Sequence, residues 1–170
     1  MRVFGIDAGL SGALVLMNDG VVTDYQSMPT RVNPRGKKEI CALTLWEILH
    51  YWQNKHDCQW VDLAVVEQLH ALPGDGKVSL ATFMKGVGKI LAVLEILGIP
   101  REEPTPQQWK KVVLAGTDKS KDAAVGYVQS RYPTVNLVLP GSKKPSHDVA
   151  DAVCLAEYGR RLLLGDKYEQ

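Results

Sequence analysis

Cysteine is scarce in this chain: Cys41, Cys58 and Cys154 are the full set, odd in number and without a Cys-x-x-Cys pair. That usage argues against a disulfide framework or a thiolate zinc site and fits reduced thiols in a cytoplasm. Charge of one sign is not in excess either, with 20 Lys and Arg against 19 Asp and Glu and a formal net charge of +1. A nucleic-acid-binding protein with this balance has to segregate its cations onto one surface and its acids elsewhere. Long apolar runs are also missing. The segment Ile90 to Ile99 contains Glu95 and falls far short of the ~20 residues that span a bilayer. Asp7 interrupts the stretch in which a signal peptide needs its apolar centre. No internal repeat or low-complexity tract breaks the chain. These absences lead us to expect a soluble, cytoplasmic protein with no membrane association. Its 170 residues, 45% of them hydrophobic, suit one domain with a sizeable core.

What is present is a sequence of strands followed by helices. Residues 2–8 and 12–17 read as strands split by the turn Gly9-Leu10-Ser11-Gly12, and Asn18-Asp19-Gly20 is a hairpin signal. It sends a third strand, Val21 to Met28, back antiparallel to the second. Pro29 to Lys38 reads as a loop carrying Arg31, Arg35, Lys37 and Lys38, either a solvated connection or a contact surface. Ile40, Leu43, Trp46, Ile48, Leu49 and Trp52 give residues 39–54 a helical spacing. The run 61–67 is a short buried strand, and His70 to Gly76, with Pro73-Gly74-Asp75-Gly76, a loop. A long helix follows from Val78 to Leu97. Gly86 and Gly88 within it each cost about 1 kcal/mol relative to Ala, and they leave room for another helix in the core or across a dimer interface. A short strand is expected at Arg101 to Pro104. Thr105-Pro106 is an N-cap with proline at the first helical position. Helices are expected over 106–113, 121–131 and from the cap Ser146 to Leu164, where Gly165 is a natural stop. The pattern is that of a mixed α/β sheet with helices packed on it.

Four carboxylates stand where a soluble fold tolerates charge poorly. Asp7 interrupts Val3-Phe4-Gly5-Ile6-Asp7-Ala8-Gly9, Glu67 ends Leu63-Ala64-Val65-Val66, and Asp148 and Asp151 lie among small apolar residues in Ser146 to Val153. Buried carboxylates need a counter-charge or a metal. Asp148 and Asp151 are three apart, so they share a helix face. Acids are common in first helical turns for dipole reasons alone; it is the conjunction of all four that points to a site for hard divalent cations.

The segment Gly5-Ile6-Asp7-Ala8-Gly9-Leu10-Ser11-Gly12 resembles the first-strand motif of RuvC-type Holliday junction resolvases. Val65-Val66-Glu67-Gln68 is similar to their second acidic motif, and Asp148-Val149-Ala150-Asp151-Ala152 to their C-terminal pair of acids. Order and spacing match from Arg2 to about Arg161. The resemblance implies a single RNase H-like domain over residues 1–170, with a five-stranded mixed sheet flanked by helices. It implies a homodimeric endonuclease that uses Mg²⁺, with Mn²⁺ as a substitute, to nick two symmetry-related strands of four-way DNA. The ends left are a 5′-phosphate and a 3′-hydroxyl. Ala8 stands where the family usually has proline, and His70 where many relatives carry an aromatic that stacks at the junction centre. Divergence in the loop and basic segments fits a phage-encoded branch, acting in the host cytoplasm.

Phosphodiester hydrolysis needs an activated water and stabilisation of charge on the attacking and leaving oxygens, which two divalent ions about 3.5–4 Å apart supply. Mg²⁺ takes oxygen ligands and keeps several waters, so a few carboxylates suffice. Asp7 is expected to bridge, Glu67 to help hold one ion and Asp148 with Asp151 the other; His147 is a secondary ligand or proton-shuttle candidate. Lys110, Lys111, Lys119 and Lys121 cluster around Gly116. The family has a basic helix-loop-helix contact there, with Lys111 the best match to one of its lysines and Lys119 or Lys121 to the second. Lys77, Lys85 and Lys89 are expected on the same side of the DNA channel, with His70 and its loop probing the junction centre. An acid after a first strand and hairpin also opens actin-like ATPases and sugar kinases, but these need two subdomains, so no nucleotide cofactor is expected. An RNase H-like nuclease acting on RNA, hybrid or other branched DNA is the alternative enzyme. A structural junction binder is the alternative without catalysis, disfavoured by the presence of all four acids.

Overall fold

The computed structural model describes residues 1–55, 60–68, 77–117 and 120–165, with the backbone alone for 77–79. The loop expected at His70 to Gly76 and the thiol of Cys58 lie outside the described residues. Strands β1 (Arg2–Ile6), β2 (Ala13–Asn18) and β3 (Val21–Ser27) form the expected meander, and β6 (Leu63–Val66) and β7 (Arg101–Glu102) complete a five-stranded sheet in the order β3-β2-β1-β6-β7. The β1–β2 and β2–β3 pairs are antiparallel, β1–β6 and β6–β7 parallel. Asp19 and Gly20 both take positive φ (47° and 80°), which is what a tight two-residue hairpin between right-twisted strands demands.

Side-chain alternation along the strands builds two cores. Phe4, Ile6, Leu14, Leu16, Ala64 and Val66 face α1 (Ala42–Asn54) and α2 (Lys77–Ile96). Val3, Val15, Met17, Leu63 and Val65 face α3 (Pro106–Val113), α4 (Ala123–Arg131) and α5 (His147–Leu163). Because β1 is covered on both faces, all five of its residues are buried, and it reads as a continuous apolar run. Arg2 is buried too; its guanidinium donates to the Gln53 and Trp52 carbonyls at 2.9 and 2.6 Å, satisfying the C-terminal end of α1.

Local chemistry sets the helix starts. Thr105 and Gln108 form a reciprocal capping box with Pro106 behind it. The Ser146 hydroxyl accepts from the Val149 N–H at 3.2 Å, and Gly165 ends α5 at φ 73°. One segment departs from expectation. Pro29 to Lys38 is not a plain loop but contains β4 (Thr30–Val32), which pairs antiparallel with β5 (Lys38–Ile40), so α1 begins at Ala42. The turn between them carries little apolar alternation; its order comes from Asn33, whose side chain accepts from the Arg35 and Lys37 N–H groups. Gly86 does permit a close approach, but of Ile40 on β5 rather than of a helix, since a Cβ there would lie 3.0 Å from Ile40 Cδ1; nothing stands within 4 Å of one at Gly88. Among the described residues no helix is long and apolar enough to cross a membrane.

Candidate active site

Parity places the first two acids. Asp7 follows Val3 and Gly5 on the α5-facing side of β1, the central strand, and Glu67 follows Leu63 and Val65 on the same side of β6. The strands run parallel with Ile6 opposite Val66, and the Glu67 N–H donates to the Ile6 carbonyl at 3.3 Å, so the two acids leave the sheet side by side. Helix α5 supplies the other two. It lies so close over β1 that a Cβ at Gly5 would sit 2.0 Å from the Ala152 carbonyl oxygen and 2.6 Å from the Ala156 nitrogen. Only glycine fits at position 5 without shifting the helix backbone. This contact hangs the first turns of α5, with Asp148 and Asp151, over the ends of β1 and β6.

The charges of the other three carboxylates bear on Asp7, and those of Glu67 and Asp148 on Asp151. Burial pushes Asp7 up to about 7, and the charges of Asp148, Glu67 and Asp151 add to the rise; the Gly9 N–H, 3.3 Å from Oδ1, only partly offsets it. Asp151 is raised to about 6 by burial, with Glu67 and Asp148 reinforcing the shift and the Lys110 and His147 charges opposing it. Among the described residues none of the four forms a salt bridge within 4.0 Å. Also among the described residues, no three His, Cys, Asp or Glu side chains stand close enough to clasp one ion as they are. What gathers here is a set of hard oxygen donors, partly desolvated and without a salt-bridge partner among the described residues, and that donor chemistry fits a divalent cation.

Two neighbours of the acids, Trp109 and Ser11, were not foreseen from the sequence. The indole Nε1–H of Trp109, a fully buried residue of α3, donates to Glu67 Oε1 at 2.8 Å. The Lys110 ammonium sits over the same ring, 5.1 Å from its centroid. The Ser11 hydroxyl donates to Asp148 Oδ1 at 3.4 Å. A large aromatic in the otherwise polar stretch Pro106 to Lys111 was the available signal for Trp109, but its polar partner lies 42 residues away.

A cleft of about 910 Å³ opens beside Asp151, lined by Lys110, Lys111, Lys121 and His147 among others. His147 Nε2 stands 3.4 Å from Asp122 Oδ1. Lys85 and Lys89 go elsewhere: they lie on α2, in the layer across the sheet from α5, 3.1 and 3.4 Å from carboxylate oxygens of Glu39. They therefore do not line the Lys110–Lys111–Lys121 cleft, because α2 packs on the opposite face. His70, Lys119 and the side chain of Lys77 lie outside the described residues.

No protein-family model and no curated protein sequence matches this chain. Solved structures do. One described as Thermus thermophilus RuvC in complex with Holliday junction substrate aligns at TM-score 0.65 and 18% identity, over 95% of this chain and 96% of that one. A second, described as the Thermus thermophilus RuvC structure, aligns at TM-score 0.58 and 20% identity, over 97% of each. With its strand order, its helices on both faces and the place of α5 over β1, the chain has the RNase H-like fold of the RuvC structures along nearly its whole length.

Proposed function

We propose that this protein is a metal-dependent endonuclease that resolves four-way DNA junctions by paired, symmetric nicks, working as a homodimer so that two sites face two strands. The observation that carries the reading is the gathering of Asp7, Glu67, Asp148 and Asp151, none of them in a salt bridge among the described residues, with Asp151 lining a cleft that also holds Lys110, Lys111 and Lys121. The likeness to a RuvC structure in complex with Holliday junction substrate supports four-way DNA as the substrate class.

Asp7, Glu67, Asp148 and Asp151 would hold the divalent ions, Mg²⁺ with Mn²⁺ as a substitute. When bound, such ions activate water and stabilise charge on the oxygens of the displacement. The chain's own groups do the rest. Trp109 holds the Glu67 carboxylate in one orientation through its indole N–H, and Ser11 does the same for Asp148. Lys110, Lys111 and Lys121 draw the phosphate backbone into the cleft beside the acids. Hydrolysis adds the water oxygen to phosphorus and releases the 3′-oxygen, leaving a 5′-phosphate and a 3′-hydroxyl.

The deciding experiment is nicking of a labelled, mobile four-way junction with and without Mg²⁺, mapping both cut strands beside linear duplex and RNA–DNA hybrid. Paired cuts at symmetric positions on the junction alone are expected. Equal cutting of duplex or hybrid would assign the site to a different substrate.

A further inference from the structure

A second group of described cations, apart from those of the cleft, gathers around β4, β5 and α2. A groove of about 410 Å³ runs between the hairpin and α2, and five of the residues lining it are cationic: Arg35, Lys37, Lys38, Lys85 and Lys89. Among the described residues the one acid there, Glu39, is buried and organises them. Its carboxylate accepts from Arg31 at 2.9 Å and from Lys85 at 3.1 Å, and Lys89 stands 3.4 Å away while donating to the Ile40 carbonyl at 2.7 Å. One carboxylate thus ties the hairpin to the helix and leaves a large positive surplus. Arg35, Lys37 and Lys38 are exposed, and among the described residues they pair with no acid. In a chain whose net charge is only +1, this is a strongly segregated patch.

Its position matters as much as its charge. The Met28 N–H donates to the Gly12 carbonyl at 2.7 Å and the Cys41 N–H to the Pro29 carbonyl at 3.0 Å, so the hairpin is rooted beside the turn that follows Asp7. It therefore springs from the carboxylate end of the sheet, on the α2 face, while the Lys110–Lys111–Lys121 cleft lies on the α5 face. Among the described residues no aromatic side chain lines the groove, so it is built to meet backbone phosphates rather than to stack bases. The turn is held by Asn33 with its N–H and carbonyl both bonded within the loop, so it presents its cations without an ordering cost on binding.

We propose that the β4–β5 hairpin and the adjoining face of α2 form a second phosphate-binding surface, which holds a DNA arm on the opposite side of the acids from the lysine cleft. The choice of a branched DNA as occupant rests on the nuclease reading above: arms radiate from a junction, and one nicked strand is straddled by duplex on both sides. An acidic protein would meet the same charges and is the competing occupant.

The test is metal-free binding of the full chain across a salt series, to a four-way junction and to linear duplex, comparing wild type with R35A/K37A/K38A. Each phosphate contact contributes about 0.9 to the slope of log K against log salt. The triple variant should lower that slope by about 2–3 units on the junction. A slope unchanged to within about half a unit would overturn the proposal and leave the hairpin to an acidic protein. Thermal unfolding checks that the variant folds; should it not, the single substitutions Arg35→Glu and Lys37→Glu are read the same way, with slope losses of at least about one unit each. Failure of the nuclease reading looks different. Wild type would then bind junction no better than duplex and cut neither, while the slope change on duplex still reports on the hairpin.

Discussion

Helix α5 takes acids out of water at two places, Glu157 fully and Asp151 in part, and treats them in opposite ways. Glu157 is 1% exposed, yet its carboxylate accepts from Arg160 at 2.6 and 2.9 Å, from Arg161 at 2.7 Å and from the Tyr132 hydroxyl at 2.9 Å. Burial pushes its pKa up, but these donors outweigh burial and hold it below the ordinary carboxylate value. The Arg161 guanidinium goes on to the Val112 carbonyl and the Tyr127 hydroxyl, so the network stitches α5 to α3 and α4. Earlier on the same helix, Asp151 is raised to about 6 with no such partners, and Asp7 beneath it to about 7. A buried acid with its full set of donors is a structural joint; half-buried acids pooled with one another are an unmet demand for positive charge. That is how the fold separates the carboxylate that holds it together from those available to a ligand.

Breaking the pooled set should have the largest effect. Asp151→Asn or Asp7→Asn is expected to remove detectable cleavage of a four-way junction while leaving its binding largely intact; retention of near wild-type nicking by either would reassign the site. Breaking the satisfied set should act on folding instead. Glu157→Ala strands two guanidinium groups and a buried hydroxyl, and should lower unfolding free energy by about 3 kcal/mol in chemical denaturation. A loss under about 1 kcal/mol would show that water replaces the carboxylate at little cost.

The two sets also differ in the sign of their pH dependence. Asp7, with a folded value near 7 against an ordinary 3.8, binds its proton more tightly when folded. Its ionisation therefore costs stability that is fully lost above pH 7 and recovered as pH falls toward 4. Glu157, held low, contributes stability that is present above its ordinary value and lost only in stronger acid. Metal-free protein should accordingly unfold at higher temperature at pH 5.5 than at pH 8, and Asp7→Asn should flatten that difference. The same variant should be more stable than wild type at pH 8 by on the order of 1–2 kcal/mol. Added Mg²⁺ should raise the melting temperature of wild type and not of the variant. A wild-type melting curve indifferent to pH between 5.5 and 8 would mean the acids are neutralised after all.

The smallest expected effect lies where the sets come nearest to each other in kind. Trp109→Phe keeps the buried ring and removes only the donor to Glu67, so cleavage should fall about 10-fold, with a matching rise in the Mg²⁺ concentration needed for half-maximal rate. An equal loss at saturating Mg²⁺ and an unchanged metal requirement would make Trp109 a packing residue alone.

Much of this was legible in the residues. The Asn18-Asp19-Gly20 turn, the Thr105-Pro106 cap, the Ser146 cap and the Gly165 stop act within a few residues of themselves, and the structure has each of them. Asp7 and Glu67 share the parity of their strands' α5-facing residues, and Asp148 and Asp151 a helix face, so the side on which each acid lies follows from periods of 2 and 3.6. The hairpin at 30–40 was not legible, because its strands are polar and its order depends on Glu39 meeting Lys85 and Lys89 from a helix far along the chain. For the same reason the two α2 lysines were expected beside the cleft that they in fact do not line.

The chain's own order of residues therefore determined the elements, their caps and the faces on which the acids stand, since those depend on local sterics and periodicity. Only the packed structure decided which charges are answered. Glu157 and Glu39 found cations within salt-bridge distance and Asp7 and Asp151 did not, because pairing depends on what the sheet, at Gly5 above all, lets α5 and α2 bring within reach.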